Sequence, residues 1–129
     1  MPAYSFTKQI NMAFDRALEI IPGKLKEQGF GVLTEIDVKA TLKKKLDVDF
    51  PKYMILGACN PPFAHKSLLA EPNIGVLLPC NVVIYEKGGQ TILSVMKPST
   101  ALGMVDNADL AAIAGEVENK LRRFFDSIK

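Results

Sequence analysis

A hairpin signal in the second half of the chain does most to limit the fold. Two strand-like runs occupy residues 73–98, and the sequence Lys-Gly-Gly at residues 87–89 joins them. A glycine pair between runs rich in β-branched residues predicts a tight turn, so the two runs should pair antiparallel. Strict alternation of strands and helices would build a parallel sheet instead. The hairpin therefore argues against a pure doubly wound α/β domain.

The other segments complete the element order β-α-β-α-β-α-β-β-α. Residues 3–9, 30–36 and 53–59 have the composition of strands. Residues 110–128 keep one apolar face at helical spacing, which predicts a long final helix. We expect that helix to bury Ile113, Val117, Leu121 and Phe124. The chain of 129 residues should thus form one domain, residues 1–129, of the α+β class. Its mixed or mostly antiparallel sheet should carry helices on one face, in two layers.

Capping and breaking residues predict where several elements begin, end or bend. Asn11 is a candidate cap for the first helix, and Gly29 should end that helix. Pro22 lies inside its apolar pattern, so we expect a kink or a helix in two parts. Asp37 should cap the second helix. Pro79 lies in a strand-like run and predicts a bulge or a change of pairing, because proline cannot donate to the ladder.

Composition and charge exclude several classes of function. The net charge is only +2 and tryptophan is absent, so we expect no nucleic acid partner. The first residues lack the pattern of a signal peptide, and the longest apolar run, residues 74–79, is too short to cross a membrane. With two cysteines, we expect a cytoplasmic protein without a structural disulfide and without a membrane partner.

Two Cys-Asn pairs are the candidate site. In Cys59-Asn60-Pro61-Pro62, Asn60 suits a helix cap and Pro61 suits the first helical position. Cys59 would then lie where a strand ends and a helix begins, a place that favours anions and lowers a thiol pKa. The alternative is that the cysteine is a small buried hydrophobe.

We expect the two pairs to meet, because a short crossover helix returns the chain to the same sheet. Pro79 would interrupt the second strand at the level where the first one ends. The predicted ligand-binding residues are therefore Cys59, Asn60, Cys80 and Asn81. The opposing possibility is that the two cysteines are separate core residues on opposite faces.

The chemistry of such a site stays open at the level of sequence. A metal ion could take Cys59, Cys80 and His65, although no known ligand spacing supports that set. A thiol enzyme could use Cys59 with His65 as its base. A purely structural or interaction protein would need neither a bound metal ion nor a reactive thiol. No GxGxxG, GxxxxGK[ST] or GxSxG motif is present, so the sequence identifies no cofactor.

The chain resembles the domain of unknown function 302 family. The resemblance rests on Gly-Phe-Gly-Val at residues 29–32, Leu-Gly-Ala-Cys-Asn-Pro at 56–61 and Leu-Pro-Cys-Asn-Val at 78–82. It implies a small α+β protein of bacteria or archaea with a TATA-binding-protein-like sheet, cytoplasmic and homodimeric. The family has no assigned activity, so it gives no role to these residues. Our hypothesis is a binding or sensor module for a small molecule, an anion or a metal ion.

Overall fold

The computed structural model describes residues 3–129, and its centre is an open sheet of five antiparallel strands. Their order across the sheet is β1-β5-β4-β3-β2. Every neighbouring pair is antiparallel, which confirms the α+β class. Gly88 and Gly89 both take positive φ in the turn between β4 and β5, as the predicted hairpin requires. The strands are β1 (Ser5–Ile10), β2 (Gly31–Asp37), β3 (Tyr53–Cys59), β4 (Cys80–Lys87) and β5 (Gln90–Met96).

Residues 3–129 also contain five α-helices and one 3₁₀ helix, and the last two α-helices follow the last strand. The helices are α1 (Phe14–Glu27), α2 (Val38–Leu46), α3 (Pro61–Ala70), α4 (Pro98–Ala101) and α5 (Ala108–Ser127), and the 3₁₀ helix is Pro72–Leu77. The predicted order is confirmed, and the 3₁₀ helix and α4 are additional short elements. None of the helices among residues 3–129 is long and apolar enough to span a bilayer.

The main core lies between α1, α5 and one face of the sheet. Strand register places Leu56, Val82, Val95 and Phe6 in one row on that face, and all four are buried. The long helix α5 buries Val117, Leu121 and Phe124 as expected, while Ile113 is only partly buried. The C-terminal half of α5 therefore closes the main core.

A second, smaller apolar cluster lies at the N-terminal half of α5. Its buried members are Ile74, Leu102, Leu110 and Ala114. The side chain of Asn107 links the start of α5 to the end of α3. It accepts from the Leu110 N–H at 3.1 Å and donates to the Ala70 carbonyl at 2.9 Å. The cap of α5 thereby also fixes the end of α3.

One expectation about the start of α1 is wrong, and one about its middle is narrowed. Its N-cap position is Ala13, with no side-chain capping bond, so Asn11 is not the cap. The backbone N–H of Asn11 instead donates to the Lys129 carbonyl. Pro22 lies inside one uninterrupted helix, so the proline does not divide α1, and the kink stays a prediction. The fully buried Ile21 and Leu25 hold the helix against the core on both sides of the proline. Gly29 follows the end of the helix at φ +86°, as predicted.

The prediction for Pro79 is also corrected. β4 begins at Cys80, directly after a cis Leu78–Pro79 peptide, so the proline precedes the strand and no bulge lies in β4. The apolar residues before it form the 3₁₀ helix, not a strand. The reason is that Ile74 is buried in the second cluster, which draws this segment away from the sheet. Pro72 at its first position suits a helix start.

Candidate ligand-binding site

The two Cys-Asn pairs meet at one end of the sheet. In the β3–β4 register Ala58 is opposite Cys80, so Cys59 ends its strand beside the start of β4. A cavity of about 320 Å³ opens here, and Cys59, Asn60 and Cys80 all line it. The antiparallel pairing, rather than a parallel crossover, is what brings the end of one strand to the beginning of the next.

The cavity lies where the two apolar clusters adjoin. Ala58 and Val117 of the main core form part of its wall, and Leu102 of the second cluster forms another part. Phe63 on α3 also lines the cavity. Because the two clusters pack as separate units, the space between them is left without a filling side chain. Its walls are almost wholly apolar.

A β-bulge shapes the rim of the cavity. The β2–β3 register shifts between Val32 and Thr34, so Leu33 has no partner on β3. Leu33 is 67% exposed and yet lines the cavity, as does the exposed Leu68 on α3. Bulges turn a side chain away from its regular direction, and here the result is an apolar rim. Leu33 is not among the predicted site residues, because a bulge leaves no clear signal in a strand of this composition.

Gly57 allows the elements behind the cavity to approach one another. A Cβ atom at this position would lie 2.8 Å from Pro79 Cγ and closer still to Thr34 Oγ1. Contacts of that kind do not occur between real side chains, so a larger residue would displace Pro79 from the wall that it forms. Gly57 therefore supports the position of Pro79.

Asn60 occupies the N-cap position of α3, but its side chain makes no capping bond. An N-cap side chain usually accepts from the N–H of the second or third helical residue, and the second residue here is Pro62, which has none. The Asn60 amide instead donates through Nδ2 to the Gln28 carbonyl at the end of α1, at 3.5 Å. The predicted cap is wrong in this respect, although Pro61 does begin the helix.

The start of α3 offers few donors to an anion. Pro61 and Pro62 carry no N–H, and the Ala64 N–H is bonded to the Asn60 carbonyl within the helix. Only the Phe63 N–H remains of the donors that normally make a helix start attractive to anions. The two prolines thus remove donors on which the predicted anion site depends.

Both thiols are held in the neutral form. Burial raises the pKa of Cys59. Burial, together with a smaller contribution from the neighbouring Cys59, raises the pKa of Cys80 to about 11. The expectation that the helix start lowers the Cys59 pKa is wrong, because removal from water outweighs the weak field of a helix start with two prolines. At neutral pH each cysteine contributes a small, polarizable and uncharged side chain to the cavity wall.

Two candidate residues lie outside the cavity. Asn81 lies on β4, where it pairs with Gly57 of β3 and is exposed. It does not line the cavity with the other three. His65 is exposed on α3 and is not part of the wall either. Over residues 3–129 no group of three or more His, Cys, Asp or Glu side chains could hold a metal ion. The set Cys59, Cys80 and His65 is therefore not assembled as a ligand cluster.

Comparison with known proteins gives a family and a fold. The family model for domain of unknown function DUF302 matches residues 6–128. The crystal structure of an uncharacterized conserved DUF302 protein from Bacillus stearothermophilus is 30% identical in sequence, with a TM-score of 0.92. That match covers 99% of this chain and 100% of the other. No curated protein matches the chain. The chain belongs to the DUF302 family, domain of unknown function.

Proposed function

We propose that this protein is a binding module for a small, uncharged and largely apolar molecule held in the cavity beside Cys59 and Cys80. The observation that carries the proposal is the cavity itself, about 320 Å³ with almost wholly apolar walls. This volume falls within the range of about 300–1,000 Å³ that small-molecule sites occupy. The walls come from β3, β4, α3, α4 and α5, so the cavity belongs to the fold rather than to one loop.

The chemistry of the walls argues against a charged ligand. A charge moved from water into such a cavity loses its hydration and finds no opposite charge in compensation. The helix start that might have held an anion lacks two of its donors. A neutral ligand loses much less on entry and gains the burial of its apolar surface.

The same features argue against a thiol enzyme. The thiolate is the nucleophilic form of cysteine, and burial raises the pKa of both thiols here. The exposed His65 does not line the cavity and so is not placed to act as a base there. Binding therefore fits the cavity better than covalent catalysis by Cys59.

A cavity-filling substitution tests the proposal. Ala64 lines the cavity from α3, and Ala64→Leu would place a larger side chain in the space a ligand needs. The matched control is Ala111→Leu, on the exposed side of α5. Calorimetric titration with 2-methylnaphthalene should show binding to the wild type and the control, and at least tenfold weaker binding to Ala64→Leu. Equal affinity of all three proteins, or no binding to the wild type, would contradict the proposal.

We also propose that the protein forms a homodimer through the face of the sheet opposite α1 and α5. Along the described strands, this face carries a single charged residue, Lys87 beside the hairpin turn. Apolar and aromatic side chains occupy much of its centre, where Tyr53 and Tyr85 stack with their ring centroids 5.2 Å apart. The same face also carries uncharged polar side chains, among them Thr7, Gln9 and Ser94. The half-buried or exposed apolar members are Ile36, Tyr53, Ile55, Val83, Tyr85, Ile92 and Met96.

A second copy suits this face because a two-fold contact sets each patch against itself. A charged patch would repel its own copy, whereas this one has almost no charge to repel. Five strands of about six residues make a face of about 24 Å by 20 Å, so two copies would bury roughly 1,000 Å². This area is near the lower limit for a specific interface.

Light scattering with a charge placed on the face tests the dimer. Ile92→Lys should convert a dimer into a monomer, because it would bury an unpaired charge in the contact. Leu69→Lys, at an exposed position of α3, is the control and should leave the mass unchanged. A monomer mass for the wild type at micromolar concentration would remove this part of the proposal.

We propose a cytoplasmic location as well. Its support is that both cysteines are free, as is usual where thiols are kept reduced. Alkylation of the protein immediately after cell lysis should label both thiols. A disulfide-linked species at that point would count against a reducing compartment.

A further inference from the structure

We infer that Asn60 is the polar anchor of the cavity and that the ligand is an apolar molecule carrying one hydroxyl or N–H donor. This inference rests on the proposed function, since it names the class of molecule that the same cavity would take. The anchor is the side-chain carbonyl oxygen of Asn60. A neutral alcohol or phenol has the required donor without a charge.

The Asn60 side chain is buried but incompletely bonded. The residue is 8% exposed and lines the cavity. Its one side-chain hydrogen bond is the donation from Nδ2 to the Gln28 carbonyl, and no group in residues 3–129 donates to Oδ1. No side-chain oxygen of residues 3–129 is both fully buried and without a partner, so Oδ1 keeps a little exposure and has an unused acceptor position. Most amide oxygens of largely buried residues have a hydrogen-bond partner. A donor on the ligand would be that partner.

The environment at the end of α1 determines which way the amide points. The Gln28 carbonyl can only accept, so the amino group, not the oxygen, must face it. Gly29 lies under that amino group, and a Cβ atom there would be 3.0 Å from Nδ2. The amino end is thus held against α1. The oxygen is the part of the amide that remains available to a molecule in the cavity.

Ser67 is the other buried polar side chain in the wall, and it has a local partner. Its hydroxyl donates to the Phe63 carbonyl at 2.8 Å, one turn earlier in α3. This bond occupies the Ser67 hydrogen within the helix. Asn60 is therefore the better candidate to select a donor, and Ser67 provides a matched control.

Two probes of nearly equal shape test the anchor in calorimetric titrations. 2-Naphthol carries a hydroxyl donor where 2-methylnaphthalene carries a methyl group. The wild type should bind 2-naphthol about tenfold more tightly, the size of one good hydrogen bond. Asn60→Leu should bind 2-naphthol no more tightly than 2-methylnaphthalene, whatever its affinity for the latter, and Ser67→Ala should keep the preference. An undiminished preference in Asn60→Leu, or its loss in Ser67→Ala, would overturn the inference.

A third probe tests the donor without any substitution. 2-Methoxynaphthalene keeps the oxygen of 2-naphthol but has no hydrogen to donate. The wild type should bind it no more tightly than 2-methylnaphthalene; affinity equal to that of 2-naphthol would overturn the inference even if Asn60→Leu failed to fold. Failure of all the probes to bind would instead refute the proposed function. Binding of all three with equal affinity would refute only the anchor.

Discussion

The helices α5 and α2 begin alike and end up in very different surroundings. Each start is capped by a side-chain oxygen: Asn107 accepts from Leu110 N–H at 3.1 Å, and Asp37 accepts from Ala40 N–H at 2.9 Å. Each also has an apolar side. Yet α5 buries six residues and α2 buries none. Local signals therefore specify that a helix forms, whereas its neighbours decide how much of it is removed from water.

The difference follows from where the two helices attach to the sheet. α5 lies on the core face and closes both apolar clusters. α2 follows β2, one of the two edge strands, and packs mainly on β2 and β3. We call residues 31–50 the edge arm. Its exposed large apolar side chains are Leu33, Ile36, Leu46, Val48 and Phe50. The arm is the part of the molecule with most to gain from a covering partner.

The largest expected effect comes from a matched pair of Leu→Ala changes in the two helices. Leu121 of α5 is fully buried, and Leu46 of α2 is 65% exposed. Leu121→Ala should lower the free energy of unfolding by about 2–5 kcal/mol, because it leaves a cavity in the core. Leu46→Ala should change it by less than about 0.5 kcal/mol. Urea denaturation monitored by circular dichroism measures both changes. Similar losses of unfolding free energy in the two variants would contradict the difference proposed between α5 and α2.

A smaller effect is expected from the thiol on the core face. Burial, with a smaller contribution from Cys59, raises the Cys80 pKa from 9.0 to about 11, so the unfolded chain loses this proton first as the pH rises. The stability due to the neutral thiol is present below pH 9 and is lost between about pH 9 and 11. The loss amounts to at most about 3 kcal/mol at 1.36 kcal/mol per pH unit. Urea titrations across this range should show the loss, and Cys80→Ala should show less of it. An equal decline in both proteins would mean that other groups cause it.

The smallest expected effect on stability comes from removing the capping side chains of α5 and α2. Asn107→Ala should cost about 1 kcal/mol of global stability, because α5 unfolds only with the core. Asp37→Ala should fray α2 locally and leave the melting temperature almost unchanged. Hydrogen exchange can distinguish the two, with faster exchange confined to α2 in Asp37→Ala. A global loss in Asp37→Ala would show that the edge arm is coupled to the core.

Much of the fold could be predicted because its signals are local. The apolar period of α5 and the double glycine of the hairpin lie within short stretches of sequence. The bulge at Leu33 could not be predicted, since it depends on the pairing of β2 with a strand more than twenty residues away. The 3₁₀ helix was mistaken for a strand because its apolar residues serve a second cluster that no local pattern reveals.

The candidate site was predicted in part and for partly wrong reasons. Cys59, Asn60 and Cys80 do line one cavity. The anion site, however, would need a backbone N–H that Pro62 lacks. That signal was present in the sequence, because proline at the second helical position denies the cap its usual donor. The orientation of Asn60 toward Gln28 was beyond prediction, since it depends on how α1 and α3 pack. The apolar character of the cavity likewise depends on α4 and α5.

Nuclear Overhauser contacts from bound 2-methylnaphthalene test the central claim most directly. With the methyl groups of the protein labelled, the account predicts contacts to Ala58, Leu102 and Val117, which line the cavity from three different elements. Contacts confined to Ile36, Ile55 and Ile92 on the opposite face of the sheet, or to the exposed Leu69 and Val76, would contradict it.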